Sequence, residues 1–225
     1  MIRVIVADDH PVVRQGLRQI VEASEDIVVA GEAADGRDVL DVTVKHPADI
    51  LLLDLSMPGL DGLDVLKQLR HDRVEIPVLV LTMHSEDEFA LRAFKAGASG
   101  YLTKDTAPTE LVAAIRRVVT GGRYVGPRLA EKLAGYLSRE GERPLHERLS
   151  DREYQVLRMI AVGKTTREIA ETLSLSIKTV GTYRARILEK MGMRTSAELI
   201  AYAVRHDLAD SANVGQSPTR RLSGD

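Results

Sequence analysis

Short apolar runs without polar alternation recur through the first half of the chain. They cover Val4–Ala7, Ile27–Ala30, Ile50–Leu53 and Val78–Leu81, with a weaker fifth run at Tyr101–Leu102. Runs of this kind are typical of strands that are covered on both faces. The segments between them carry apolar residues at helical spacing. Five alternations therefore predict an α/β domain, with a doubly wound, five-stranded parallel sheet between two layers of helices.

The second half of the chain has helical spacing only, from Leu149 onward. Ser150 and Ser176 stand where N-cap residues are favoured, and a short break at 174–176 separates two helical segments. A helix, a tight turn and a second helix allow the second helix to enter the major groove of DNA. This spacing alone is weak evidence, because small helical bundles share it. It predicts a second, smaller, all-α domain.

Glycine and proline mark the boundary between the two halves. Gly121, Gly122, Gly126 and Pro127 cluster after the last helical segment of the first half, and such a cluster breaks regular structure. The sequence predicts a first domain at 1–121, a linker with a short helix at 122–147, a helix-turn-helix domain at 148–209 and a disordered tail at 210–225.

Composition narrows the class of protein. The 225 residues leave room for two domains and contain no cysteine, which excludes a disulfide scaffold and cysteine-ligated metal sites. Residues 1–122 carry 13 Lys and Arg against 20 Asp and Glu, whereas residues 148–210 carry 11 against 8. This asymmetry suggests a cation as the ligand of the first domain and phosphates as ligands of the second. The apolar runs are too short to span a membrane, so we expect a soluble, cytoplasmic protein without a membrane partner.

Polar residues follow the apolar runs of the first half. Asp8 and Asp9 follow the first run, Asp54 the third, Thr82 the fourth and Lys104 the fifth. The ligand crevice of an open parallel sheet lies outside the carboxyl ends of its strands, so these residues are expected to converge. Three carboxylates would raise one another's pKa unless a divalent cation neutralised them, and Mg²⁺ takes such oxygen ligands. Asp54 then fits a nucleophile that attacks phosphorus.

Turn chemistry offers a simpler explanation for each aspartate, because Asp is common in turns and at helix N-caps. It gives no reason for a threonine and a lysine at the two remaining strand ends. The complete set therefore favours a site.

These residues belong to longer motifs. The motifs are Asp8-Asp9-His10, Asp54-Leu55-Ser56-Met57-Pro58-Gly59-Leu60-Asp61-Gly62, Leu81-Thr82, Gly97-Ala98 and Tyr101-Leu102-Thr103-Lys104. Over about residues 2–120 the chain closely resembles the receiver domain of bacterial two-component response regulators. The resemblance implies a flavodoxin-like sheet of order 2-1-3-4-5 and a sensor histidine kinase that phosphorylates Asp54.

The resemblance also implies roles for single residues. Asp9, Asp54 and the Ser56 carbonyl would hold Mg²⁺, with Asp8 acting through a bound water. Thr82 and Lys104 would contact the phosphoryl oxygens. Thr82 and Tyr101 look like the switch pair, and we hypothesise that Ser56 and His84 set how fast the phosphate hydrolyses. Asp105 stands where many receivers have proline after the lysine.

Three motifs of the second half resemble the LuxR-type helix-turn-helix over about residues 148–208. They are Leu149-Ser150-Asp151-Arg152-Glu153, Gly163-Lys164-Thr165-Thr166-Arg167-Glu168-Ile169-Ala170, and Ser176-Ile177-Lys178-Thr179-Val180 through Leu188. With the receiver, they make the chain resemble a full-length response regulator of the NarL/FixJ family. The resemblance implies a transcription factor that binds double-stranded DNA and is not an enzyme. It also implies that the protein is a homodimer at least when it is bound to DNA.

Six residues of the third helical segment are candidate DNA contacts: Lys178, Thr179, Thr182, Arg184, Arg186 and Lys190. Lys178, Thr182 and Arg186 are expected nearest the DNA, and Arg184 and Lys190 on phosphates. Gly181 and Ala185 depart from the family, which often has Lys at the first position and a polar or basic residue near the second. The last helix, with Leu199, Ile200, Tyr202 and Ala203, either forms the dimer on DNA or completes the bundle.

Two other classes of function use some of the same residues. A phosphatase or phosphotransferase with an Asp nucleophile needs a second acid or base, and the sequence places no candidate near Asp54. A phosphorylation-dependent protein-binding module that has lost DNA binding is also compatible with Gly181 and Ala185. Salt-dependent affinity for duplex DNA would separate this module from a transcription factor.

Overall fold

The structure is a computed structural model, and it describes residues 1–83, 87–126, 129–131, 144–206 and 208. The chain divides into two compact units, residues 1–140 and 141–225. His84, most of the predicted linker helix and the predicted tail at 210–225 lie outside the described residues.

The first unit is built on one parallel sheet. Its strands are β1 (Ile2–Ala7), β2 (Ile27–Ala33), β3 (Ile50–Leu53), β4 (Val78–Thr82), β5 (Gly100–Thr103) and β6 (Tyr124–Val125). Their order in space is β2-β1-β3-β4-β5-β6. The predicted doubly wound sheet and its order 2-1-3-4-5 are confirmed, and one strand is added at the edge.

Five helices connect the strands of this sheet. They are α1 (Pro11–Glu22), α2 (Gly36–Lys45), α3 (Gly62–His71), α4 (Asp87–Lys95) and α5 (Pro108–Val119). Residues Ile50–Leu53 of β3 are buried throughout, as the unbroken apolar run predicts for a central strand. One face of the sheet packs against α1 and α5 through Leu17, Val21 and Ile115. The apolar stripes of the helices thus cover the sheet and leave its carboxyl edge for polar residues.

The sixth strand lies in the segment that was predicted to be linker. Tyr124 N–H donates to the Ser99 carbonyl at 3.1 Å, and Val125 is in register with Tyr101. The Tyr124 hydroxyl donates to Glu110 Oε1 of α5 at 3.0 Å. A two-residue strand has no hydrophobic period, so the sequence contained no signal for it. It forms because β5 would otherwise leave unpaired backbone groups at the edge of the sheet.

The second unit is helical in its described part. A 3₁₀ turn at Leu145–Arg148 precedes α6 (Asp151–Ala161), α7 (Thr166–Thr172), α8 (Ile177–Met191) and α9 (Ser196–Arg205). Ser150 and Thr165 each begin a helix with a capping box, in which a glutamate three residues later bonds back to the N-cap backbone. The Ser150 cap explains why α6 begins where the sequence predicted.

Candidate functional site

Parallel pairing brings the predicted polar residues to one edge of the sheet. Ala7 of β1 is in register with Leu53 of β3, and Asp54 N–H donates to the Ala7 carbonyl at 2.9 Å. On the other side, Lys104 N–H donates to the Thr82 carbonyl at 2.9 Å. The carboxyl ends of β1, β3, β4 and β5 therefore form the single crevice that the sequence predicted.

Lys104 joins the two buried aspartates of this crevice. Its Nζ lies 2.6 Å from Asp8 Oδ2 and 2.7 Å from Asp54 Oδ2. The side chains of Asp8 and Asp54 are 1% and 2% exposed, and that of Lys104 is 8% exposed. The ammonium group thus offsets part of the repulsion between two carboxylates that are both shielded from solvent.

Burial raises the pKa of Asp54 above its usual range, and the negative charge of Asp8 adds to this effect. The charge and hydrogen bond of Lys104 act in the opposite direction. Burial by itself would lower the pKa of Lys104, but that pKa is raised because Asp54 and Asp8 both interact with the ammonium group. Lys104 therefore stays a cation beside the carboxylate that it contacts.

Four side chains at this edge offer ligand atoms for a metal ion. Atoms of Asp8, Asp9, His10 and Asp54 lie within 4.8 Å of one another. Asp54 Oδ1 is buried and has no close hydrogen-bond partner within the described residues, although the Ser56 backbone lowers the pKa of this carboxyl group. The carboxylate oxygens of the three aspartates are hard donors of the kind that Mg²⁺ prefers, so the residues of the site fit this ion. Ser56 is exposed, two residues beyond Asp54, and the ligand role of its carbonyl stays a prediction.

His10 is the member of this group that sequence reasoning missed as a possible ligand. In the sequence it stands only as the third residue of the motif Asp8-Asp9-His10. Its position next to two aspartates was the available signal, but the direction of its ring depends on the fold. His84, the other histidine of interest, lies outside the described residues.

The predicted switch residues lie on neighbouring strands. Thr82 ends β4 and is fully buried, and Tyr101 on β5 is 3% exposed. Tyr101 is in register with Val80 on one side and with Val125 of β6 on the other. The aromatic ring is thus directed inward in this structure, and the backbone of its strand also pairs with the first residues of the linker.

The loop after Asp54 is held by a glycine and a helix cap. Asp61 accepts a hydrogen bond from Asp64 N–H at 2.8 Å and so caps α3. A Cβ added at Gly62 would collide with the Asp54 carbonyl oxygen and lie 2.7 Å from Leu55 Cα. This glycine lets α3 start directly against the backbone of the predicted phosphoryl acceptor.

The second unit contains the predicted helix-turn-helix. It consists of α7, a turn in which Ser174 has a φ of 53°, and α8. The N-cap Ser176 accepts from Thr179 N–H at 3.0 Å. Val180, Ile187 and Met191 bury one side of α8.

The opposite side of α8 is an exposed stripe along the helix. The stripe consists of Lys178, Gly181, Thr182, Ala185 and Arg186, spaced at i, i+3, i+4, i+7 and i+8. A Cβ at Gly181 would meet no atom within 4 Å, so packing does not require glycine there. The three residues expected nearest the DNA, Lys178, Thr182 and Arg186, share this stripe.

The other predicted DNA contacts make bonds within the unit. Arg184 Nε donates to Ser196 Oγ at 2.8 Å, and Lys190 Nζ lies 2.6 Å from Glu153 Oε2. Thr179 contributes to the cap at the start of α8. Both basic side chains are exposed but anchored to neighbouring helices.

The last helix buries most of its predicted apolar set. Leu199, Tyr202 and Ala203 are buried, whereas Val204 is 59% exposed. The Tyr202 hydroxyl lies 2.9 Å from Nδ1 of the buried His146, a contact that the sequence did not reveal. These buried side chains complete the helical bundle, and the exposed side of α9 is left for another contact.

No helix in the described part of the chain has the length and apolar character needed to cross a bilayer.

Comparison with known families gives two matches. Residues 4–116 match the response regulator receiver domain, and residues 147–203 match the LuxR family of bacterial regulatory proteins.

Similar proteins cover almost the whole chain. The response regulator UvrY of Escherichia coli K12 is 38% identical over 212 residues, which are 94% of this chain and 97% of UvrY. The response regulator GacA of Pseudomonas aeruginosa is 40% identical over 215 residues, 95% of this chain and all of GacA. A solved structure of RcsB from Salmonella enterica serovar Typhimurium, bound to promoter P1flhDC with the phosphomimetic BeF₃⁻, is also similar. Its sequence is 32% identical to this chain, and the match covers 89% of this chain and 97% of the RcsB chain, with a TM-score of 0.62.

Proposed function

The chain belongs to the NarL/FixJ family of response regulators, and from this premise we propose that phosphorylation of Asp54 controls its binding to specific DNA sequences. The phosphoryl donor is a sensor histidine kinase, and the output is transcription rather than an enzymatic reaction. The strongest support is the environment of Asp54. This carboxylate directly follows a central strand and is 2% exposed. One of its oxygens lies 2.7 Å from Lys104 Nζ, and the other has no close hydrogen-bond partner among the described residues.

The transfer forms a bond between an Asp54 oxygen and phosphorus. The phosphorus–nitrogen bond of the donor phosphohistidine breaks, and its electron pair stays on the imidazole, which takes up a proton. Lys104 and Thr82 contact phosphoryl oxygens and stabilise their charge. Mg²⁺ held by Asp9, Asp54 and the Ser56 carbonyl, with Asp8 acting through a water, would neutralise further negative charge.

The phosphoryl group changes the balance between two states of the receiver through Thr82 and Tyr101. A hydroxyl drawn toward the phosphate alters the space next to the aromatic ring on the neighbouring strand. The coupling to DNA binding need be only about 1–3 kcal/mol to act as a switch. The hypothesis that Ser56 and His84 set the phosphate lifetime predicts a changed lifetime in His84→Ala.

The test of the acceptor is intact mass spectrometry of the wild type and Asp54→Asn after incubation with Mg²⁺ and acetyl phosphate. We expect one base-labile phosphoryl group on the wild type and none on the variant. Asp64→Asn, which changes a half-buried carboxylate of α3, is the matched control and should be modified like the wild type. A phosphoryl group on Asp54→Asn would overturn the assignment.

DNA is bound through the exposed stripe of α8. Lys178, Thr182 and Arg186 face the bases, while Thr179, Arg184 and Lys190 are placed toward phosphates. The structure of RcsB bound to promoter P1flhDC supports this use of a similar chain. A homodimer on DNA would use the exposed side of α9 around Val204.

Fluorescence anisotropy with duplex DNA over a range of salt concentrations tests the interface. Lys178→Ala and Arg186→Ala should each weaken binding and relax the preference for one base pair, whereas Arg184→Ala, which removes a phosphate contact, should weaken binding to all sequences and reduce the salt slope by about one. Lys45→Ala removes one charge from an exposed position of the first unit and is the control. If the wild type binds duplex DNA with an affinity that does not depend on salt, or does not bind it, the result would instead favour a protein-binding module that has lost DNA binding.

A further inference from the structure

His10 directs its ring into the acidic cluster rather than capping the helix that follows it. It occupies the N-cap position of α1, but its side chain makes no capping hydrogen bond. Its Nδ1 lies 2.8 Å from Asp9 Oδ1 and 3.5 Å from Asp8 Oδ1. Its backbone N–H donates to Asp8 Oδ1 at 2.8 Å, which fixes the start of the side chain beside the cluster.

An independent observation identifies this cluster as a place for a ligand. Asp54 is 98% buried within the unit, yet its Oδ1 has no close hydrogen-bond partner within the described residues. The ligand atoms of Asp8, Asp9, His10 and Asp54 all lie within 4.8 Å of one another. Ligand atoms about 2.1 Å from a shared ion lie within roughly 4.2 Å of one another. The side chain of His10 is 66% exposed, so little packing opposes a shift of its nitrogen toward the other ligand atoms.

The chemistry of the two donor types differs. Mg²⁺ prefers oxygen ligands and retains several waters, so an imidazole adds little to its affinity. First-row transition metals bind imidazole well, and their affinity for a given site rises from Mn²⁺ to Co²⁺. A site with three carboxylates and one imidazole therefore offers these ions a ligand that Mg²⁺ does not need.

We propose that His10 is a nitrogen ligand for divalent transition-metal ions in the phosphorylation site, whereas Mg²⁺ is held there by oxygen atoms alone. This inference rests on the proposed function, because it uses the same cation site. His10 then sets which divalent ions compete with Mg²⁺ for the site. The carboxylates provide affinity for any of these ions, and the imidazole provides the preference among them.

Isothermal titration calorimetry of the full, tag-free chain with MgCl₂, MnCl₂ and CoCl₂ tests this inference. We expect His10→Ala to weaken Co²⁺ binding by about tenfold and Mn²⁺ binding by a smaller factor. Mg²⁺ affinity should change by less than about twofold. His71→Ala removes a more exposed histidine at the end of α3 and should leave all three affinities unchanged.

Pulsed electron paramagnetic resonance of the Mn²⁺-loaded chain gives a second readout. The wild type should show the coupling of a directly bound imidazole nitrogen, and His10→Ala should not. No such coupling, together with unchanged Co²⁺ affinity in His10→Ala, would overturn the role of His10 and leave the Mg²⁺ site intact. A wild type that binds none of the three ions would overturn the cation site of the proposed function as well.

Discussion

Lys104 Nζ lies 2.7 Å from Asp54 Oδ2, although the two residues are 50 positions apart in the chain. The same ammonium group lies 2.6 Å from Asp8 Oδ2, so one cation contacts two carboxylates that are almost fully buried. This relationship couples the protonation of the predicted phosphoryl acceptor to the presence of the lysine.

Lys104→Met is therefore expected to raise the pKa of Asp54 further. Burial and the charge of Asp8 already raise this pKa, and the substitution removes the main group that opposes them. Carbon-13 NMR titration of the aspartate carboxyl groups, assigned with Asp54→Asn, would measure the change. An Asp54 midpoint at the same pH in both proteins would contradict the expectation. Lys67→Met, which removes an exposed lysine of α3, is the control.

Gly62→Ala should destabilise the first unit and impair phosphorylation of Asp54. The new methyl group would collide with the Asp54 carbonyl oxygen, and overpacking of this kind costs about 1–3 kcal/mol. Gly16→Ala is the matched control, because a Cβ there meets no atom within 4 Å inside α1. It should instead stabilise the unit by up to about 1 kcal/mol. Amide hydrogen exchange along β3 would measure both effects, and equal exchange in the two variants would refute the steric argument.

Lys190→Met should destabilise the second unit, because Lys190 Nζ lies 2.6 Å from the buried Glu153 Oε2. Burial alone would raise the pKa of Glu153, but Lys190 and the Ser150 cap lower it overall. We expect a loss of about 1 kcal/mol at neutral pH, since the lysine is 42% exposed and partly screened.

The pH dependence of this loss has a definite sign. A lowered carboxyl pKa stabilises the fold above the unfolded value of about 4.3, and this contribution disappears as the pH falls through the folded value. The difference between wild type and Lys190→Met should therefore shrink below about pH 4. Hydrogen exchange along α6 and α8 checks this, with Lys178→Met as control. A difference that persists in acid would exclude the carboxylate as its origin.

Gly181→Ala should stabilise α8 by about 1 kcal/mol, because glycine within a helix costs about that much relative to alanine. No described atom lies within 4 Å of the added Cβ. Slower exchange of the Ile187 and Leu188 amides would confirm the gain. Faster exchange would indicate a steric conflict. Ala185→Gly, on the same exposed stripe, should have the opposite effect.

Tyr124→Pro should release β6 from the sheet. Proline removes the N–H that donates to the Ser99 carbonyl, whereas Tyr124→Phe removes only the hydroxyl that donates to Glu110. We expect hydrogen exchange at Tyr101 and Gly126 to rise at least about tenfold in the proline variant. The phenylalanine variant should lose about 1 kcal/mol or less. Equal exchange in the two variants would show that backbone pairing does not hold this edge.

The apolar runs alone determined five of the six strands and their parallel arrangement, because buried central strands carry long, unbroken apolar segments. The same runs placed Asp54, Thr82 and Lys104 at strand ends, where the parallel sheet then brings them to one edge. Local capping signals such as Ser150 and Ser176 likewise marked the starts of helices.

The sequence by itself thus determined most of the elements and the residues of the crevice, since these depend on local pattern and on short-range backbone preferences, while the resemblance to receiver domains implied the order of the sheet. Only the tertiary structure decided the sixth strand, the direction of the His10 ring and the pairing of Lys190 with Glu153. The strand and the ion pair depend on groups that come together through packing, such as the edge of β5 or two helices whose paired residues are 37 positions apart, and the ring of His10 depends on the backbone geometry at the start of α1. No periodicity along the chain encodes such contacts, because their energy exists only after the elements have packed.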